Sequence, residues 1–214
     1  VAGWSAASRL ALAATAQMEL GAALAIADGV ALVGAPGAAA GEVRVLTQVG
    51  GAWTQTAVLS ASDGVAGDRF GNALSVDAGR AAIGAVAALF SEGKTYLYTR
   101  SGNAFTLADT LDIADGETAN RFGTSVALAA GGVLIGADLD RVGPNRGQGS
   151  VRWFQPQGLD YVQTTQLNNG NGAMYDRYGT AVAVSGEFAL VGAYLEDTDA
   201  GPDAGAAHWF QRVG

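Results

Sequence analysis

The residues with most chemistry to offer sit in two acidic stretches. Asp138 and Asp140 fall in one, and Glu196, Asp197, Asp199 and Asp203 in the other. These are hard oxygen donors, dense enough along the chain to hold a weak calcium ion, although a solvated acidic loop is the commoner use of such residues. Near the first stretch, Asn145, Arg146 and Gln148 could read a polar ligand. A further set recurs along the chain: Asp63-Gly64 with Asp68, Asp115-Gly116 with Asn120, and Asn171-Gly172 with Asp176, followed in turn by Arg69, Arg121 and Arg177. Read for binding, these form a ring of ligand-facing groups at one mouth of the molecule. Read for structure, which is favoured, Asp and Asn bond the turn backbone and each Arg braces a neighbouring carboxylate. The corresponding first segment has only Ala14 and Glu19-Leu20, so such a ring would be incomplete.

Nucleophilic catalysis has little to work with. His208 is the single histidine and cysteine is absent, so most nucleophile-plus-base schemes lack a base. Paired carboxylates could still hydrolyse a glycoside, but no spacing positions such a pair. The expectation is a non-enzymatic protein that requires no cofactor, with calcium the one ion its loops could hold. Tyr96, Tyr98, Trp153 and Trp209 could stack on sugars, which makes a carbohydrate-binding lectin the alternative. Their matching places on successive strands point instead to core.

The elements that must carry these residues are short strands. In 214 residues, 49% are hydrophobic, and 32 glycines interrupt them, a pattern of tight turns rather than long helices. A net charge of −8 argues against nucleic acid as a partner. No apolar run reaches the roughly 18 residues needed to insert in a membrane.

Five landmarks repeat in order. An aromatic opens a strand at Trp4, Trp53, Phe105 and Tyr161, and a leucine follows at Leu10, Leu59, Leu111 and Leu167. A first glycine comes at Gly21, Gly71, Gly123 and Gly179, a second at Gly34, Gly84, Gly136 and Gly192, and a third at Gly41, Gly93, Gly149 and Gly205. The other intervals are nearly rigid, and length variation is concentrated in the last: 7 residues from 34 to 41, 9 from 84 to 93, and 13 from 136 to 149 and from 192 to 205. Units of about 50 residues with four strands each are the size of propeller blades. They divide the chain as 13–60, 61–112, 113–167, and 168–214 plus 3–12, within a single domain of 1–214.

Residues 3–12 match a fourth strand, whereas the chain finishes on a third. The expected fold is therefore an all-β propeller of four four-stranded blades, with the N-terminal strand completing the C-terminal blade and closing the ring. The competing architecture is a half-propeller whose N-terminal strand completes another copy, in an eight-bladed dimer or a strand-exchanged fibre; the monomer is favoured. In either case the glycines act as close-approach points between blades, and the residue before Gly71, Gly123 and Gly179 plugs the gap.

Arg-Phe-Gly at 69–71 and 121–123, Arg-Tyr-Gly at 177–179, Gly-Ala-Pro at 34–36 and the Ser-Asp-Gly-then-Asp lead-in at 62–68 resemble the FG-GAP repeat family, the blades of integrin α-subunit propellers and of many bacterial surface and secreted proteins. The resemblance implies an extracellular, secreted, cell-surface or periplasmic module for binding, adhesion or assembly, with a protein or glycan partner. Integrin-type blades carry an Asp-rich calcium loop between their first two strands. Here that hairpin is a short turn, and those ligands are not carried over. Ligand contacts are expected in the loops of varying length between strands two and three.

Overall fold

The computed structural model describes residue 10, residues 12–113 and residues 119–213. It is an all-β arrangement of four antiparallel sheets. The first contains β1 (Leu24–Ala27), β2 (Val30–Ala35), β3 (Glu42–Val49) and β4 (Ala52–Leu59). The second contains β5 (Phe70–Val76), β6 (Arg80–Ala85), β7 (Lys94–Ser101) and β8 (Ala104–Leu111). The third contains β9 (Phe122–Ala129), β10 (Gly132–Ala137), β11 (Ser150–Gln157) and β12 (Asp160–Leu167), and the last β13 (Tyr178–Ser185), β14 (Phe188–Ala193) and β15 (Ala206–Gln211). Within every sheet the strands pair in chain order, as blades made of successive hairpins must.

Local chemistry accounts for the hairpins. Asp28 and Gly29 both take positive φ, 47° and 73°, the two-residue turn whose twist matches its flanking strands. Each sheet then buries its central strands against the next sheet. Three apolar cores result: one joins Val30, Leu32 and Val45 to Phe70, Ile83 and Tyr96; the next joins Ala82 and Leu97 to Phe122, Val126 and Ile135; the third joins Leu134 and Trp153 to Tyr178 and Val191.

The sheets approach so closely that a side chain would not fit. A Cβ added at Gly34, Gly84 or Gly136 would lie 2.1 Å from the carbonyl oxygen of Gly71, Gly123 or Gly179 respectively. One residue earlier, Phe70, Phe122 and Tyr178 are fully buried, the plugging role expected of that position.

No fourth core joins the last sheet to the first among the described residues. Leu24 and Ile26 on β1 are 69% and 68% exposed, and Leu190 and Trp209 on the last sheet 54% and 69%. The closed ring expected from the sequence is therefore not seen among the described residues, and the last sheet shows three strands. The N-terminal strand invoked to close it lies almost wholly outside the described residues. Leu10 and Leu12, which are described, belong to no strand, and Leu10 is exposed. Of the four aromatics expected in the core, Tyr96, Tyr98 and Trp153 are buried, but Trp209 is not. The reason is positional: Trp209 pairs with Leu190 as Trp153 pairs with Leu134, and only the latter pair has a following sheet to cover it.

The buried phenols make the fold sensitive to alkali. Burial raises the pKa of Tyr96, Tyr98 and Tyr178, that of Tyr98 to about 12, and a 2.8 Å hydrogen bond donated to Asp63 Oδ1 raises Tyr96 further. An unfolded chain releases these protons near pH 10 while the folded chain keeps them. Their contribution is thus complete below about pH 10 and is lost as pH rises towards the folded values, at up to about 1.4 kcal/mol per pH unit for each tyrosine. The Tyr178 hydroxyl is buried without a partner. Tyr178→Phe, which removes that unpaired hydroxyl, should therefore be at least as stable as the parent in urea at pH 7, and its advantage should grow at about pH 10.5; an advantage that does not grow with pH would contradict this assignment.

Candidate functional site

Antiparallel order puts the β2–β3, β6–β7, β10–β11 and β14–β15 loops at the same end of the sheets as the segments that lead into β5, β9 and β13. Each of the first three loops clasps the sheet that follows. Ala40 O accepts from Phe70 N at 2.9 Å, Glu92 O from Phe122 N at 2.8 Å and Gln148 O from Tyr178 N at 2.8 Å. The β6–β7 loop is shaped by a turn at Ala88–Ser91, where Leu89, Phe90 and Ser91 all take positive φ. The β10–β11 and β14–β15 loops share one design, a tight turn in which Val142 and Asn145, or Thr198 and Gly201, exchange backbone hydrogen bonds.

The recurrent Asp and Asn residues brace this end. Asp68 Oδ2 accepts from Val65 N at 2.8 Å and Asp176 Oδ2 from Ala173 N at 2.6 Å, and Asp68, Asn120 and Asp176 are all buried. Burial pushes the Asp176 carboxyl up, against the bond from Ala173 N. Asp63 instead accepts from Lys94 Nζ at 2.6 Å as well as from Tyr96, and these partners hold its carboxyl below the usual range. Asp115 and Gly116 lie outside the described residues. The three arginines are occupied too. Arg69 forms a bidentate pair with Glu19, at 2.6 and 3.3 Å, while Arg121 and Arg177 converge on Asp138 at 3.1 and 3.6 Å. Burial raises the Asp138 carboxyl, and the two guanidiniums oppose that rise.

The carboxylates considered for calcium are likewise distributed among other partners. Asp140 is buried and accepts from Ser150 Oγ and, at 2.9 Å, from Arg152. The equivalent pair one sheet later is Glu196 with His208, 2.6 Å apart. Asp197 Oδ1 accepts from Asp203 N at 2.9 Å, and Asp199 is exposed. Among the described residues no three His, Asp or Glu side chains converge as a cation would need. Millimolar calcium is accordingly expected to leave the melting temperature unchanged; a rise that saturates with calcium would show the loops rearranging around the ion.

Asn145, Arg146 and Gln148 divide by role. Asn145 donates to Gly172 O at 2.8 Å and to Gln148 Oε1 at 3.0 Å, and buried Gln148 donates to Asn169 O at 2.8 Å. These two amides tie the third sheet's loop to the segment entering the fourth. Arg146 is different: its side chain is exposed and has no partner among the described residues. It lines a cleft of about 240 Å³ with Ala119, Asn120, Leu139, Arg141 and Tyr175. Arg141 and Tyr175 went unnoticed in the sequence because they come from separate loops with no shared spacing. In a chain of net charge −8, this cleft offers cationic and aromatic surface together.

A model of the FG-GAP repeat matches residues 53–98 and 161–210. Each match begins on the outer strand of one sheet and runs through the three inner strands of the next, β4 to β7 and β12 to β15. No curated protein matches the chain.

Proposed function

Given that this chain belongs to the FG-GAP repeat family, we propose that it is a non-enzymatic binding module working outside the cell, which engages a protein partner through its loop end. The observation that carries this reading is Arg146, the loop cation left uncommitted while its neighbours are spent on structure. A carboxylate entering the cleft would meet a guanidinium able to hold both its oxygens, with Tyr175 alongside for apolar contact. An acidic segment of a partner protein fits that chemistry. His208, the single histidine, is engaged by Glu196 and packs edge-on against Tyr178. The sugar-binding alternative would rest on Trp209, the exposed member of its aromatic set.

The test is an array of Asp- and Glu-containing peptides probed with the parent and with Arg146→Glu. Saturable binding to acidic peptides is expected, weakened about tenfold or more in the variant, the scale of a lost charge-assisted hydrogen bond. Binding that ignores the substitution would contradict the assignment, and saturable binding on a glycan array, lost with Trp209→Ala, would favour the lectin.

A further inference from the structure

Phe90 holds in the second sheet's loop the place that Arg146 holds in the third's. The two loops clasp the sheet that follows with the same pair of carbonyls. Ser91 O and Glu92 O accept from Arg121 N and Phe122 N at 2.9 and 2.8 Å, and Gly147 O and Gln148 O accept from Arg177 N and Tyr178 N at 3.2 and 2.8 Å. Phe90 and Arg146 each come just before that pair, at the same end of neighbouring sheets. The corresponding residues of the first and last loops, Ala38 and Pro202, offer neither an aromatic ring nor a charge.

The outward position of Phe90 is imposed by its backbone. Leu89, Phe90 and Ser91 take φ of 51°, 58° and 74°, three successive left-handed residues of which none is glycine, each a costly conformation for a residue with a Cβ. The turn is nonetheless tied down on every side. Ser91 N donates to Ala87 O at 3.1 Å, Gly93 N to Ala88 O at 3.0 Å and Ala87 N to Asp68 O at 3.1 Å, while Ala88 is buried in the core between the first two sheets. The Phe90 ring is thereby held 93% exposed, with Leu89 40% exposed beside it. Phe90 stands in the middle of the series, with the first and third sheets both in place around its own. A strained turn that keeps an aromatic ring in water adds nothing to the cores described above, and aromatic and arginine side chains are the ones that dominate binding surfaces.

We infer that the partner segment whose carboxylate meets Arg146 runs in extended form across to the second sheet's loop and packs an apolar side chain on Phe90. This rests on the assignment of Arg146 as the carboxylate's partner and adds the element that selects among acidic segments. Packed sheets lie about 10 Å apart and an extended chain advances about 3.3 Å per residue, so the apolar residue stands about three positions from the acidic one. Arg146 fixes one point of the segment and Phe90 fixes its direction. The surface thus pairs a cation with an acid and an aromatic ring with an apolar side chain, one on each of two adjacent loops.

Fluorescence anisotropy with labelled peptides tests this. The peptides are Gly-Ser chains carrying one Asp-Asp pair, alone or with a leucine placed from one to six positions to either side. A leucine two to four positions away, on one side of the pair, should tighten binding at least about fivefold over the leucine-free peptide. Phe90→Ser should erase that gain, leave the leucine-free affinity within about twofold and leave the melting temperature unchanged, because the ring packs on nothing in its own chain. Phe90→Tyr should keep the gain, and Arg146→Glu should weaken both classes of peptide. Leucine-free peptides that bind through Arg146 with no gain from any leucine, or a gain that survives Phe90→Ser or does not depend on leucine position, would overturn the pairing with Phe90 and leave the Arg146 assignment standing. Failure of every acidic peptide to bind would remove both.

Discussion

Gly136→Ala is expected to cost about 3 kcal/mol or more, although it adds a single methyl group. Its Cβ would lie 2.1 Å from Gly179 O, and Ser125 Oγ, itself bonded to that carbonyl at 2.7 Å, would also be in the way. The carbonyl is backbone and cannot rotate aside, and turning the Ser125 hydroxyl away would break its bond to that carbonyl. The third and fourth sheets would have to move apart along their whole contact, thinning the core that holds Leu134, Trp153 and Tyr178. With total stabilities of about 5 to 15 kcal/mol and a melting shift of about 2 to 4 °C per kcal/mol at this size, the variant should melt at least about 6 °C below the parent. A shift under about 2 °C would mean that the sheets can separate freely, contrary to the packing described.

Phe122→Ala is expected to cost about 3 to 5 kcal/mol. Phe122 is fully buried and meets Phe154 edge to face, with ring centroids 5.8 Å apart, in the core between the second and third sheets. Its removal leaves a cavity that strands pinned on both sides cannot collapse to fill. Phe90→Ala provides the comparison: Phe90 is 93% exposed on the β6–β7 loop and its loss should fall within about 0.5 kcal/mol of zero. Urea midpoints measure both, and equal effects would contradict the plugging role of the aromatic before Gly123.

The strands, their turns and the plugging aromatics were legible because each depends on residues close in sequence. Phe70, Phe122 and Tyr178 sit one place before glycines at fixed intervals, and the demand for close approach selects Gly at both ends of each contact. Burial of whole faces was not legible in the same way. Trp153 and Trp209 occupy equivalent places on equivalent strands, and what separates them is a neighbouring sheet that no local pattern encodes. The loop end shows the same division. The readings of Asp68 and Asp176 as turn braces and of Arg121 and Arg177 as partners of a carboxylate follow from general side-chain chemistry. That both arginines share Asp138 required the fold to bring separate units together. Asn145 and Gln148 read as free amides because their acceptors, Gly172 O and Asn169 O, are backbone atoms and leave no mark in composition.

The central physical claim is that a glycine in each sheet meets the backbone of the sheet that follows, three times over, and that the fourth such glycine is left waiting. Melting Gly34→Ala, Gly84→Ala, Gly136→Ala and Gly192→Ala side by side in dilute solution is the most direct measurement of it. The account gives large and similar losses for the first three, whose Cβ atoms would each lie 2.1 Å from a carbonyl oxygen, and a parent-like transition for Gly192→Ala, whose nearest neighbour is 3.7 Å away. Four equal losses would show the last sheet already packed against a successor within its own chain, and the open series of sheets would be wrong.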